Sequence, residues 1–167
     1  VQEFWEDTLV LEGETMTSWL FSSNNLENIR TGYERLLWGF WHKEAGRKQR
    51  KNWRSFLMAY NRIEPFDYAV IQISRTGEIH ALGVIKKTFY DDQTPVWPKE
   101  IKERKILYPW RVSFSFMIFS KEPILKHYIR IQNYIDGYGI GELHPADFNL
   151  ILTKAAEKFR LNMKGRL

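Results

Sequence analysis

The chain has 167 residues, a formal charge of +5, 44% hydrophobic and 27% charged residues, and no cysteine. That length buries one core and that composition excludes disorder, while the missing thiols exclude a disulfide framework and a thiolate zinc site. The mild basic excess favours a polyanionic partner, and with no secretory signal or apolar run near the roughly 18 residues of a membrane span, a cytoplasmic protein with no membrane partner is expected.

Residues 1–14 form an acidic lead-in, and the start at Val1 rather than Met is expected of a piece of a longer protein. Met16, Trp19, Leu20 and Phe21 then mark a buried strand over 15–22. Asn24 or Asn25 caps a helix whose apolar positions Leu26, Ile29, Tyr33 and Leu36 or Leu37 keep the 3.6-residue period. Trp38-Gly39-Phe40-Trp41 is too aromatic for a plain loop. Residues 42–54 are basic, with Lys43, Arg47, Lys48, Arg50, Lys51 and Arg54 against Glu44 alone. Trp53, Phe56, Leu57 and Tyr60 place a second helix that runs to about Arg62.

Strands are expected over 66–74 and 78–86, joined by the turn Arg75-Thr76-Gly77-Glu78. Residues 89–105 read as an irregular charged loop carrying Pro95, Trp97 and Pro98. The alternation over 110–119 is the clearest strand in the chain, and a shorter one is expected over 128–132. Asp136-Gly137-Tyr138-Gly139 is a turn. Pro145 opens a last helix whose buried face is predicted as Phe148, Ile151, Leu152, Ala155 and Phe159, followed by a basic tail over 161–167. Strands joined by turns rather than by regular crossover helices predict one α+β domain over 15–160, a small mixed barrel of five or six strands flanked by helices.

The residues favour binding over catalysis. Four scattered histidines make no metal-ligand pair, and no catalytic residue, metal or cofactor is expected. Asp91 or Asp92 with Glu100-x-Lys102 imitates a metal-dependent nuclease, but the acid-x-Lys element follows Pro98 in a charged loop instead of lying on a strand. Gly137-x-Gly139-x-Gly141 lacks the βαβ setting of a dinucleotide fingerprint. By contrast, Ser23-Asn24-Asn25-Leu26-Glu27-Asn28 is followed ten residues later by Trp38. This sets amides that both donate and accept beside an indole, which suits the edge and face of a nucleobase. Asn24 on its own is explained by a helix cap, whereas Asn28 lies inside the helix, where asparagine is unfavourable. Trp19, Trp53 and Trp110 read as core residues, and Trp41 and Phe40 stay undecided.

The Ser-Asn-Asn…Asn…Trp spacing resembles the YTH domain, a PUA-like barrel related to EVE domains, over about residues 15–150. The resemblance implies an aromatic cage for N6-methyladenine with Trp38 and Trp97 as its walls, sandwiching the flipped base. By the same resemblance Asn24, Asn28 and Ser23 contact the base edge, the Gly39 carbonyl accepts the methylated amine N–H, and Asp136 is an acidic turn residue near the ligand. Ile106 or Leu107 is the candidate for a third wall, neither of them aromatic, and the basic residues Lys43, Arg47, Lys48, Arg50, Lys51 and Arg54 are expected from their charge to grip the phosphate backbone. Ile135 stands where the family often has a basic residue. The chain looks most like archaeal or bacterial modified-DNA readers at the N-terminus of McrB-type restriction systems. That likeness implies methylated DNA as partner, a GTP-driven AAA+ motor downstream and a nuclease partner subunit. RNA carrying the same base, and a protein-interaction module, are the alternatives.

Overall fold

The computed structural model describes residues 16–126 and 129–166, with the side chains of the last helix described as far as residue 158. The acidic lead-in and Phe159 lie outside the described residues and side chains.

The fold is α+β, as expected: one mixed sheet with helices on both faces. Its strands are β1 Ser18–Ser23, β2 Leu37–Phe40, β3 Tyr68–Ile73, β4 Glu78–Tyr90, β5 Trp110–Phe119, β6 Ile131–Ile135 and β7 Ile140–Leu143. The helices are α1 Leu26–Arg35, α2 Arg47–Lys51, α3 Trp53–Asn61, α4 Pro98–Glu103 and α5 Pro145–Arg166, with a 3₁₀ turn at Lys43–Ala45. Among the described residues the sheet has seven strands in the order β2-β5-β4-β3-β1-β7-β6, and its ladder ends at β2 and β6 instead of closing. The strands beyond the expected count are short. β2 was disguised by its aromatic run, and β7 follows directly on the glycine turn.

β1 and β3 pair in parallel, from Ser18 opposite Tyr68 to Ser23 opposite Ile73, and every other pairing of named strands is antiparallel. Period-2 alternation divides the core in two. Trp19, Phe21, Ala69 and Ile71 point to the side that also buries Ile29 of α1 and Phe56 of α3. Leu20, Val70 and Leu82 point to the other, which buries Phe148, Ile151 and Ala155 of α5. Leu152, predicted for that buried face, is 38% exposed instead, because it falls one step off the Phe148–Ile151–Ala155 stripe.

Asn25 is the cap of α1: its Oδ1 accepts from the Asn28 backbone N–H at 2.8 Å. The helix stops at Leu36, whose φ of 54° lies in the left-handed region and turns the chain directly into β2. A left-handed residue other than glycine costs about 1–2 kcal/mol. Since Leu36 is 39% exposed, what holds it is backbone bonding: its N–H donates to the Tyr33 carbonyl and its carbonyl accepts from the Phe114 N–H. The segment 89–105, expected to be irregular, instead extends β4 to Tyr90 and forms α4. The short strand expected at 128–132 starts at Ile131, and the basic tail continues α5 as far as Arg166. No helix among the described residues is long and apolar enough to cross a membrane.

Candidate nucleic-acid interface

The parallel strands β1 and β3 both run their C-terminal ends toward one cavity of about 370 Å³, which meets Ser22 and Ser23 of β1 and Ser74 just after β3. The cavity also reaches β2 at one sheet edge, through Trp38 and Gly39, and Tyr134 of β6 at the other. Sheet curvature thus brings the two edges to one hollow although the ladder is open.

Of the residues assigned to the base in the sequence, six line this cavity: Ser23, Asn24, Asn28, Trp38, Gly39 and Trp97. Their arrangement follows from local rules. The Ser23 hydroxyl donates to the Asn25 carbonyl at 3.0 Å and accepts from the Asn25 N–H, so it shapes the strand-to-helix turn. Asn25 caps the helix through its Oδ1 and donates its Nδ2 to the Asn24 Oδ1 at 3.2 Å, while Asn24 and Asn28 line the cavity. Gly39 pairs with Arg111, while the Phe114 N–H donates to the Leu36 carbonyl. Antiparallel alternation then makes Gly39 a non-hydrogen-bonded position, with its carbonyl directed off the free edge of β2. A Cβ on Gly39 would sit 2.8 Å from Tyr108 Cβ and 2.9 Å from the Trp97 ring. Only glycine lets the Trp97 ring and the Tyr108 Cβ come this close to the strand.

The aromatic walls are a corner, not a sandwich. The Trp38 and Trp97 ring centroids are 6.3 Å apart at an interplanar angle of 83°. The two indoles are only 5% and 2% exposed, because Trp38 is part of the main core and Trp97 is packed beneath it. No parallel slot exists between them for a base. The third wall is Tyr108, at 5.5 Å and 77° to Trp97, and Trp41 leans on Tyr108 at 4.6 Å near the mouth. Ile106 is not a wall: it lines a separate depression with Asp92, Pro95 and Ile101. Leu107 is buried in the interior. Burial, then the negative charges of Glu100 and Glu103, push the Tyr108 phenol up to about 12, so it acts as a neutral hydroxyl.

Behind the corner lies a polar knot. Glu100 is fully buried; one of its carboxylate oxygens accepts from the Val96 and Trp97 N–H groups at 2.9 and 3.3 Å, the other from Leu107 and Tyr108 at 2.9 and 3.0 Å. Arg111, 1% exposed, donates to the Tyr108 and Thr94 carbonyls, to Asp91 and to Glu100, and its guanidinium lies 5.4 Å from the Trp97 ring centre. Glu100 is therefore a structural acceptor here, with its oxygens directed inward away from any cation at the surface. Among the described residues, no group of three or more His, Asp or Glu side chains is placed to hold a metal.

Of the six basic residues in 43–54, Lys48 alone lines the cavity. Its ammonium lies 3.2 Å from Asp136, whose own carboxylate stands outside the wall while the adjacent Gly137 forms part of it. The helix that carries Lys48 is fastened to the β6–β7 turn. Gln49 donates to the Gly137 carbonyl at 2.7 Å, Asn52 to the Asp136 carbonyl at 2.9 Å, and the Tyr138 hydroxyl to the Gln49 carbonyl at 2.9 Å.

Sequence reasoning passed over Tyr108, Tyr134 and Ser74 and left Trp41 undecided. The signal for Tyr108 was its proximity to the loop holding Trp97, but only the Glu100 knot, invisible in one dimension, folds the two against each other. No family model matches the chain. Over 144 residues, 86% of this chain and 93% of the relative, it is 62% identical to "Uncharacterized protein MJ1369" of Methanocaldococcus jannaschii. At that identity and coverage the chain belongs to the MJ1369 family.

Proposed function

We propose that this cavity receives a flipped N6-methyladenine from DNA and that the domain is a non-catalytic reader of that mark. The observation that carries the reading is the meeting, in one hollow, of the Trp38–Trp97–Tyr108 corner with the Asn24 and Asn28 amides and the outward Gly39 carbonyl. The corner exposes small patches of two indoles, an area suited to a methyl group, while Tyr108 and Trp41 offer the ring faces nearer the mouth. The Gly39 carbonyl then accepts the remaining N–H of the methylated amine, and the amides pair with the ring nitrogens.

Magnitudes set what to expect. Flipping a base out costs a few kcal/mol, and stacking on an aromatic face returns roughly 1–3 kcal/mol. Burying one methyl adds about 0.8 kcal/mol, near four-fold in affinity, which snug packing raises to about ten-fold. Phosphate contacts from the basic segment supply the rest and weaken with salt. The setting we propose is a modification-dependent restriction system of the McrB type, in which a GTP-driven motor and a nuclease act on what this domain binds.

The test is fluorescence anisotropy at one fixed salt concentration, with short DNA duplexes with and without N6-methyladenine, matched RNA strands, and a 5-methylcytosine duplex. About ten-fold tighter binding of methylated DNA supports the reading. Preference for methylated RNA moves it to an RNA reader, and preference for methylcytosine rejects adenine. No binding to any of them leaves a protein-interaction module as the better account.

A further inference from the structure

We propose that Glu100 is the positioning residue of the pocket, a buried carboxylate that sets two of the three aromatic walls at once. This rests on the reading of the cavity as a ligand site but not on which base occupies it. The two walls come from opposite sides of α4: Trp97 is its cap residue, and Tyr108 lies beyond its end. Helix geometry puts no direct bond between them. Glu100, in the first turn of α4, reaches back to Val96 and Trp97 with one oxygen and across to Leu107 and Tyr108 with the other. Four backbone N–H groups from two chain segments thus share one side chain, with no water-exposed surface on it.

A carboxylate is required for this. Four amide donors converge, and only a group with two acceptor oxygens and no proton answers all four. Arg111 adds a fifth donor, Nη2 at 3.4 Å from the same oxygen that serves Val96 and Trp97, and it also holds the Tyr108 carbonyl at 3.0 Å. The two oxygens are therefore unequal. The Trp97 side faces two amides and a cation, whereas the Tyr108 side faces two amides alone.

This asymmetry makes a sharp test. In Glu100→Gln the amide NH₂ must face one pair of donors. Turning it toward Leu107 and Tyr108 leaves the Trp97 side, including Arg111, satisfied. Burying two donors against a donor breaks the Tyr108 side, so that wall moves and Trp97 stays.

Amide hydrogen exchange is followed by NMR on the free protein, wild type and Glu100→Gln. The expected result is that the Leu107 and Tyr108 amides exchange about ten-fold faster or more in the variant while Val96 and Trp97 keep their protection. With methylated and unmethylated duplexes, the folded variant should lose the methyl preference and keep its salt-sensitive binding within about two-fold. Unchanged protection at Leu107 and Tyr108, or a folded variant with those amides released and its preference intact, overturns the proposal. Should the variant not fold, the wild type decides: all four amides must exchange far more slowly than exposed neighbours such as Asp92, and fast exchange at any pair overturns it. A wild type with no methyl preference rejects the methyladenine reading, while the exchange data still decide the role of Glu100.

Discussion

Gly39 concentrates the chemistry of the site in one residue without a side chain. Its carbonyl points off the edge of β2, and its missing Cβ admits Tyr108 to 2.8 Å and Trp97 to 2.9 Å from where that atom would be. In Gly39→Ala something must shift, and the nearest atoms belong to the two walls rather than to the backbone. The expected result is a folded protein, destabilised by about 1–3 kcal/mol as overpacked cores are, whose methyl preference falls at least as far as in Glu100→Gln. Thermal melts alongside the anisotropy titrations check this, and wild-type preference in the alanine variant would remove Gly39 from the site. Trp38 needs gentler handling. It is a core residue, and truncation to alanine costs about 3–5 kcal/mol, so Trp38→Phe is the useful variant, expected to keep the fold and lose most of the preference. Asn28 was legible in the sequence because an asparagine inside a helix breaks a local rule, whereas Gly39 was reached only through the family resemblance, its strand being hidden by the aromatic run. Tyr108 breaks none, and only its three-dimensional company marks it.

Among the elements, α2 carries most of the positive charge near the cavity yet buries none of its residues. What holds it is its attachment to the β6–β7 turn. The Lys48–Asp136 pair contributes little, since both side chains are about two-thirds exposed (66% and 64%) and such pairs are worth about 0–1 kcal/mol. The uncharged bonds from Gln49, Asn52 and Tyr138 fix the position, with Gly137 letting the backbones approach: at φ 87°, a Cβ there would meet Lys48 Cβ at 2.7 Å. Gly137→Ala combines a left-handed backbone, costing about 1–2 kcal/mol, with that collision. It should therefore release α2 and weaken methylated and unmethylated DNA alike, lowering the slope of log affinity against log salt by about one unit for each phosphate no longer gripped. Charge reversal at Arg47, Lys48 and Arg50 together should do the same with α2 still in place; an unchanged slope would put the backbone grip elsewhere. The sequence displayed this basic run plainly. It did not display that only Lys48 among these cations reaches the cavity, because that depends on where a turn far along the chain comes to rest.

At the scale of the whole molecule, two acidic residues join distant segments on opposite faces of the sheet, and their chemistry separates stability from binding. On the cavity side, Asp91 accepts from the Gln93 and Thr94 N–H groups and from Arg111, and the Gln93 bond first, then Thr94 and the Arg111 charge, hold its carboxyl below the ordinary value. On the α5 side, Asp147 binds the Arg130 backbone and guanidinium, and the Arg130 side-chain bond leads the lowering of its carboxyl. A carboxyl lowered in the folded state stabilises once pH exceeds its unfolded value, and that stabilisation is lost as pH falls through the folded one. The melting temperature should accordingly be flat above about pH 5 and fall below about pH 4. Asp91→Asn and Asp147→Asn should each shallow that acid fall. They should differ at neutral pH. Asp91→Asn takes a partner from Arg111, which holds Tyr108 and flanks Trp97, so methyl preference should drop about three-fold or more, the scale of one weakened charge-assisted bond. Asp147→Asn, whose helix packs on the other core, should leave it unchanged. Equal effects of the two on binding would mean that the sheet couples its faces and that the polar knot is not a local device.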